Sequence, residues 1–147
     1  MYKNPKPTVD VAIINGENLV LVRRGRDPYK GRWVFPGGFI DYGETAENAA
    51  VREALEETSM QIEITGILGV YSDASRDPRG HTQSTVFIAR PLSGEPKGGD
   101  DAAEAKWHRM QELGPGDLAF DHDLIMSDLR RWMKDKSKTF WSTISRE

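Results

Sequence analysis

Cysteine is absent from this 147-residue chain, which excludes disulfide bonds and metal sites built from thiolates. Long apolar runs are absent as well. The longest aliphatic run, residues 11–14, spans about four residues, whereas a membrane-spanning helix needs about 20. The N-terminal stretch MYKNPKPTVD contains no apolar core of the kind found in signal peptides. From these absences we expect a cytoplasmic protein that does not associate with a membrane.

Positive charge is not in excess either. The chain carries 20 Lys and Arg residues against 23 Asp and Glu residues, for a net charge of -3. Because non-specific nucleic-acid binding neutralises many phosphates with basic side chains, we expect no nucleic-acid partner. The length predicts one domain of ordinary size over residues 1–147, with residues 134–147 as a loose tail or a contact arm.

The apolar patterns predict strands and helices within one layered domain. Residues 8–15 alternate between the two faces of a strand and end in Asn15-Gly16, a strong signal for a hairpin turn. Strand patterns cover residues 8–15, 19–23, 33–39, 62–71, 82–90 and 106–108, and helix patterns cover residues 45–58 and 122–133. Residues 91–102 have the composition of a loop. This order predicts an α/β fold.

Three glutamates crowd together on the first predicted helix, which has Thr45 as its candidate N-cap. At about 100° per residue, small residues occupy one side of this helix. Another side gathers three carboxylates, which repel one another: Glu53, Glu56 and Glu57. A solvated acidic face is the ordinary explanation of such a cluster. The fixed spacing from Gly38 through Glu44 to the cluster favours a functional site instead.

The segment GFIDYGETAENAAVREALEETSM, residues 38–60, resembles the Nudix box. That pattern is Gly, five residues, Glu, seven residues, then Arg-Glu-aliphatic-x-Glu-Glu-x-Gly-aliphatic, and nearly all its charged positions are present. Two positions depart from it. Ala54 is smaller than the usual aliphatic residue. Ser59 stands where the family usually has glycine, at a helix end that favours the left-handed conformation.

This resemblance implies a Nudix-type α-β-α sandwich with a mixed central sheet and the Nudix loop-helix-loop. It also implies Mg²⁺ or Mn²⁺ as the cofactor, since these cations prefer oxygen ligands. The implied metal ligands are Gly38, through its carbonyl, and Glu53, Glu56 and Glu57. Glu44 and Arg52 are implied to form an ion pair that supports the box.

The reaction implied by the resemblance is metal-assisted attack of water on phosphorus, in a nucleoside diphosphate linked to another group. The general base would be one of the box glutamates, Glu53 or Glu57. Glu104, in the segment DDAAEAKW, is the alternative because family members often have an acid there.

The substrate is indicated by RDPRGH, residues 76–81, which resembles the segment after the box in small microbial ADP-ribose pyrophosphatases. It implies a nucleotide partner, ADP-ribose, with AMP and ribose 5-phosphate as products, and a homodimer as in related enzymes. Candidate substrate-binding residues are arginines for phosphates and a tryptophan for a base: Arg24, Arg32, Trp33, Arg76 and Arg79. Each assignment has a competing interpretation. The arginines before the box can belong to a solvated basic loop, RDPRGH can be a polar turn, and Trp33 can pack in the core.

Two other functions are compatible with the sequence. One is hydrolysis of nucleoside triphosphates or dinucleoside polyphosphates, because the box handles the phosphates and not the rest of the substrate. The other is a non-catalytic module that senses a nucleotide, although such modules are expected to lose box carboxylates that this chain retains.

Overall fold

The computed structural model describes residues 2–99 and 102–146. Within this part of the chain, eight strands form a mixed sheet with two α-helices packed against it. The strands are β1 Lys6–Asn15, β2 Asn18–Arg24, β3 Trp33–Val34, β4 Gly37–Phe39, β5 Gln61–Tyr71, β6 Thr82–Ser93, β7 Ala102–Arg109 and β8 Phe140–Trp141. The helices are α1 Ala46–Thr58 and α2 His122–Lys134. The predicted α/β sandwich is confirmed.

Strand β1 lies at the centre of the sheet. It pairs in parallel with β6 and antiparallel with β2 and β4, and the β1–β2 hairpin turns at Gly16, whose φ is 63°. Alternation along β1 divides the core into two layers. Val9, Val11 and Ile13 pack with the alanines of α1, whereas Ala12 packs with the apolar residues of α2. The predicted alternation therefore sets which helix covers which face.

Helix α1 begins and ends as the sequence predicts. The Thr45 hydroxyl accepts a hydrogen bond from the Asn48 amide at 3.1 Å, so Thr45 caps the N-terminus. At the other end, Ser59 adopts φ 64° and ψ 18°, the left-handed conformation. Three alanines of α1 are fully buried against the sheet: Ala49, Ala50 and Ala54. Their small size brings the helix close to β1 and β4.

Replacing Ser59 with glycine is expected to change the free energy of unfolding by no more than about 1 kcal/mol, in the stabilising direction. Glycine removes the strain of a side chain at positive φ, but it also removes the hydrogen bond from the Ser59 hydroxyl to the Lys97 carbonyl, 3.3 Å long. Urea denaturation measures the change. Ser59→Ala is the matched control, because it keeps the strain and loses the hydroxyl. A clear loss of stability in Ser59→Gly would mean that the hydroxyl contributes more than the strain costs.

The C-terminal segment contacts the sheet from Phe140 onward, whereas residues 134–139 are exposed. Phe140 is 3% exposed within the core beside α2, and β8 pairs in parallel with β5. Arg146 donates two hydrogen bonds, of 2.8 and 2.9 Å, to the buried carboxylate of Asp128. The sequence pattern misses this packing because a two-residue strand has no periodicity to detect.

The predicted loop over residues 91–102 is also shorter than expected. Strand β6 continues to Ser93, and β7 begins at Ala102 where a strand was predicted only from residue 106. Pairing with β2 from Asn18 to Arg24 extends β7 beyond its apolar residues.

Among the described residues, no helix has both the length and the apolar character needed to cross a membrane.

Candidate active site

Three carboxylates of α1 line one cavity of about 370 Å³, together with the backbone of β4. They are Glu53, Glu56 and Glu57. The Gly37 amide donates a hydrogen bond to the Glu57 carboxylate at 3.2 Å. A side-chain carbon added at Gly38 would lie 2.6 Å from the Glu53 carboxylate, so a larger residue there would displace that carboxylate. The box glycine therefore lies directly against Glu53.

Arg52 binds the outer side of this cluster. Its Nε and Nη2 donate to the Glu44 carboxylate at 2.7 and 2.9 Å, and its Nη1 lies 2.8 Å from Glu53 and 3.3 Å from Glu56. Arg52 also donates to the Phe39 carbonyl at 3.1 Å. The hydrogen bonds from Arg52 lower the pKa of Glu44 to about 2. The Arg52 guanidinium thus connects α1 to β4 and to the loop between β4 and α1.

The carboxylates facing the cavity are not fully compensated by Arg52. Burial, followed by repulsion from Glu53, raises the pKa of Glu57 to about 9. Burial also raises the pKa of Glu53. A divalent cation in the cavity would remove this penalty, and carboxylate oxygens are the ligands that Mg²⁺ and Mn²⁺ prefer. The residues fit such a cation in chemistry and in location.

The carboxylates are not already arranged as a coordination shell. Among residues 2–99 and 102–146, no three acidic or histidine side chains converge closely enough to hold a metal ion. Two of the three cluster members, Glu53 and Glu56, turn toward Arg52. A cation held by all three carboxylates would therefore need Glu53 and Glu56 to turn away from Arg52.

The same cavity also has a basic part, called the basic wall below, as the three glutamates are called the acidic wall. The basic wall consists of Arg24, Arg26 and Arg79. Asp77 holds Arg79 through contacts of 2.8 and 3.1 Å, and the Pro28 carbonyl accepts a 2.6 Å hydrogen bond from Arg24. A cavity with one acidic and one basic wall suits an anion that binds together with a metal cation.

A buried polar network lies behind this cavity, and sequence reasoning missed most of it. The Arg76 guanidinium makes a two-pronged contact with Asp121, at 2.8 and 2.9 Å, and a third hydrogen bond to Thr82 at 2.7 Å. Asp10 accepts a 2.6 Å hydrogen bond from Ser84 and lies 4.0 Å from Arg76. Burial raises the pKa of Asp10 to about 7. The network joins β1, β6 and the start of α2.

His122 connects the same network to the backbone beside the box. Its Nδ1 accepts a hydrogen bond from the Phe35 amide at 3.1 Å, and its Nε2 lies 3.8 Å from Asp10. Burial lowers the pKa of His122 to about 4, so the ring is neutral near pH 7. Asp121 precedes the first residue of α2, a position where an aspartate often caps a helix. Its side chain makes no cap hydrogen bond and binds Arg76 instead.

Two of the predicted substrate residues, Arg24 and Arg79, lie in the cavity, and Arg76 lines the adjoining one of about 110 Å³. The described lining of these two cavities does not include Arg32, Trp33 or Glu104. Trp33 packs beside the core with its ring 4.4 Å from that of His108, and Arg32 lies over Tyr29. The Glu104 carboxylate lies 3.3 Å from Nε of Arg23 on the paired strand.

Known proteins resemble this chain over nearly its whole length. The sequence profile of the NUDIX domain matches residues 4–132. An ADP-ribose pyrophosphatase from Methanocaldococcus jannaschii is 45% identical over 132 residues, which cover 90% of this chain and 77% of that protein. A NUDIX hydrolase structure from Nitrosomonas europaea has a TM-score of 0.82 and 29% identity, covering 98% of this chain and 81% of that one. The NUDIX domain of Shewanella oneidensis NrtR, solved with ADP ribose, has a TM-score of 0.76 and 27% identity, covering 90% of both chains.

Proposed function

The chain belongs to the Nudix family of pyrophosphohydrolases, and on that premise we propose that it hydrolyses ADP-ribose to AMP and ribose 5-phosphate. The observation that carries the choice of substrate is the similarity to the M. jannaschii ADP-ribose pyrophosphatase over most of both chains. The cavity supports the reaction type, because three glutamates and three arginines line it together. A diphosphate can meet both walls at once.

We propose that Mg²⁺ or Mn²⁺ is held by Glu53, Glu56 and Glu57, with the Gly38 carbonyl as a further ligand. When bound, the cation would neutralise diphosphate oxygens and lower the pKa of a water molecule. Glu44 and Arg52 act as support, because their ion pair fixes α1 relative to β4. The acidic wall is thereby held in place without a direct role for either residue in the reaction.

In the proposed reaction, a water oxygen attacks one phosphorus of the diphosphate, and the bond from that phosphorus to the bridging oxygen breaks. The water proton passes to Glu53 or Glu57, a carboxylate that the bound cation would keep ionised and able to accept it. Arg24 and Arg79 bind phosphate oxygens from the basic wall. Glu104 is a less favourable base, since it pairs with Arg23.

Release of AMP from ADP-ribose in the presence of Mg²⁺ tests the proposal. ATP, 8-oxo-dGTP, NADH and diadenosine polyphosphates serve as competing substrates in the same assay. A clear preference for ADP-ribose in kcat/KM supports the assignment. Preference for a triphosphate or a dinucleoside polyphosphate would retain the family mechanism and reject the substrate. Tight binding of ADP-ribose without turnover of any compound would indicate a sensing module.

Metal removal is expected to make stability depend on pH. Between about pH 6.5 and 9, the metal-free protein should melt at lower temperatures as the pH rises. The pKa of Glu57 is raised to about 9, so the folded state retains a proton that the unfolded state has lost, and stability declines with rising pH until that proton dissociates. The raised pKa of Asp10 also makes stability decline as the pH rises, up to about pH 7. His122 acts in the opposite direction, and only near pH 6.5, because burial lowers its pKa in the folded state while the unfolded ring still titrates at about 6.5.

Thermal melts in EDTA and in excess Mg²⁺ measure this effect. Mg²⁺ should raise the melting temperature more at pH 9 than at pH 6.5, since binding displaces protons from the carboxylates. Glu57→Gln, which cannot ionise, should flatten the pH dependence in EDTA. An unchanged pH dependence in that variant would assign the effect to other groups.

A homodimer and a cytoplasmic location also remain part of the proposal. With Phe140 buried in the core, Trp141 is the aromatic residue of the C-terminal segment left half-exposed for contact with a second copy. Light scattering of the purified protein measures its oligomeric state directly.

A further inference from the structure

The ring of Phe120 lies against two arginines of the basic wall. The guanidinium carbon of Arg24 is 5.0 Å from the ring centroid, and that of Arg79 is 5.4 Å away. Both distances fall within the range of cation–π attraction, about 6 Å. Both arginines line the cavity that contains the three glutamates, and Phe120 lines the adjoining cavity with them. One aromatic ring therefore contacts two cations that face the acidic wall.

The backbone of Phe120 is strained. Its φ is 54°, in a region where a bulky side chain is a genuine outlier. Tyr29, whose φ is 61°, packs against it edge to face with 4.9 Å between ring centroids. Such strain is concentrated at functional sites. Two strained aromatic residues in mutual contact beside the cavity indicate that the position of the Phe120 ring matters.

The two arginines repel each other where the ring holds them. Burial, followed by the charge of Arg79, lowers the pKa of Arg24. Asp77 compensates Arg79 from one side through its two-pronged contact. An anion bound to both guanidinium groups would relieve the repulsion, as a cation would relieve that among the glutamates. The basic wall is thus arranged for a negatively charged ligand.

We propose that Phe120 is a positioning residue that holds Arg24 and Arg79 together as a receptor for one phosphate of a diphosphate substrate. The inference rests on the proposed function for the identity of the whole substrate. The chemistry of the receptor requires only a phosphate or diphosphate anion. In a diphosphate, the second phosphate would then face the acidic wall, where the cation is proposed to bind.

Binding of inorganic pyrophosphate, measured by calorimetry in EDTA at low ionic strength, tests the receptor without turnover. Phe120→Leu should weaken binding about tenfold relative to the wild type, because it removes the π face. Phe120→Tyr keeps the π face and should bind pyrophosphate about as well as the wild type. Arg79→Met should weaken binding at least as much as Phe120→Leu. Tyr42→Leu is the control, since Tyr42 is a fully exposed aromatic residue in the loop before α1. Equal weakening in Phe120→Leu and Phe120→Tyr, or no measurable wild-type binding, would overturn the proposal.

Phe120→Gly provides a second variant that does not depend on tolerance of leucine at positive φ. Glycine relieves the backbone strain, so this variant should fold and still lose pyrophosphate binding to the same extent as Phe120→Leu. Retained binding in Phe120→Gly would overturn the proposal.

Steady-state kinetics distinguish a failure of the phosphate receptor from a failure of the proposed function. Phe120→Leu should raise KM for ADP-ribose about tenfold and change kcat by less than about threefold, as for uniform binding. If the wild type does not hydrolyse ADP-ribose but pyrophosphate binding follows the predicted order, the proposed function fails and the receptor stands. If ADP-ribose is hydrolysed with an unchanged KM in Phe120→Leu, the receptor fails.

Discussion

Replacing Glu57 with glutamine is expected to lower turnover with Mg²⁺ about a thousandfold and to leave the protein folded. Glutamine has the size of glutamate and retains an oxygen that can accept the hydrogen bond from the Gly37 amide. It cannot carry a negative charge, so it cannot compensate a divalent cation or accept a proton from water. Stability should not fall, because the raised pKa of Glu57 shows that its ionised form is disfavoured in the metal-free protein.

The assay measures kcat for ADP-ribose with saturating Mg²⁺, and the melting temperature reports on folding. Glu47→Gln is the matched control, since Glu47 is an exposed glutamate in the first turn of the same helix. That variant should keep nearly all of the activity. Full activity in Glu57→Gln would show that Glu57 is neither a metal ligand nor the general base, and Glu53 would become the residue to test for both roles.

The part of the fold that sequence predicts well is the part with strong local periodicity. Val9, Val11 and Ile13 alternate along β1 and all reach the same core layer. The ends of α1 were also predictable, because capping by Thr45 and the left-handed turn at Ser59 depend on neighbouring backbone alone. The short strand β8 was not, since its two residues are held by pairing with β5, far away in sequence.

In the candidate site, too, residues close in sequence were predictable and residues from separate elements were not. Box residues lie within one helix and the loop before it, so fixed spacing alone brings Glu53, Glu56 and Glu57 to one cavity. The network behind that cavity combines residues 10, 76, 84 and 122 from separate elements. No local pattern marks Asp10, which occupies an ordinary position in an alternating strand. Only the pairing of β1 with β6 brings Ser84 beside it.

Arg76 is a candidate substrate residue that the structure places within a network of hydrogen bonds inside the protein. The sequence placed it among candidate phosphate ligands because it belongs to RDPRGH. In the structure its side chain is 6% exposed, and three hydrogen bonds bind it to Asp121 and Thr82. Arg79, three residues later, keeps its guanidinium at the cavity although Asp77 holds it. Burial therefore separates two arginines that sequence alone treats alike.

Breaking the contact between Arg76 and Asp121 is expected to lower the free energy of unfolding by about 3–5 kcal/mol, because it leaves a buried charge without its partner. Asp121→Asn keeps the shape of the side chain and removes its charge. Urea denaturation at pH 7 measures the loss. Arg90→Met is the control: Arg90 and Glu63 form a 2.6 Å pair whose side chains are 58% and 50% exposed. Such an exposed pair should contribute no more than about 1 kcal/mol.

The double variant Arg76→Met/Asp121→Leu separates a structural role from a role in substrate binding. Removing both charges should recover most of the stability lost in Asp121→Asn, because apolar groups of similar size can replace a buried ion pair at little cost. If Arg76 also binds phosphate, the double variant should regain stability and still have a raised KM for ADP-ribose. A restored melting temperature with an unchanged KM would assign Arg76 to the fold alone and leave Arg24 and Arg79 as the phosphate ligands of the basic wall. If stability is not recovered, the contacts that Arg76 makes with Thr82 and Asp10 contribute more to stability than its contact with Asp121.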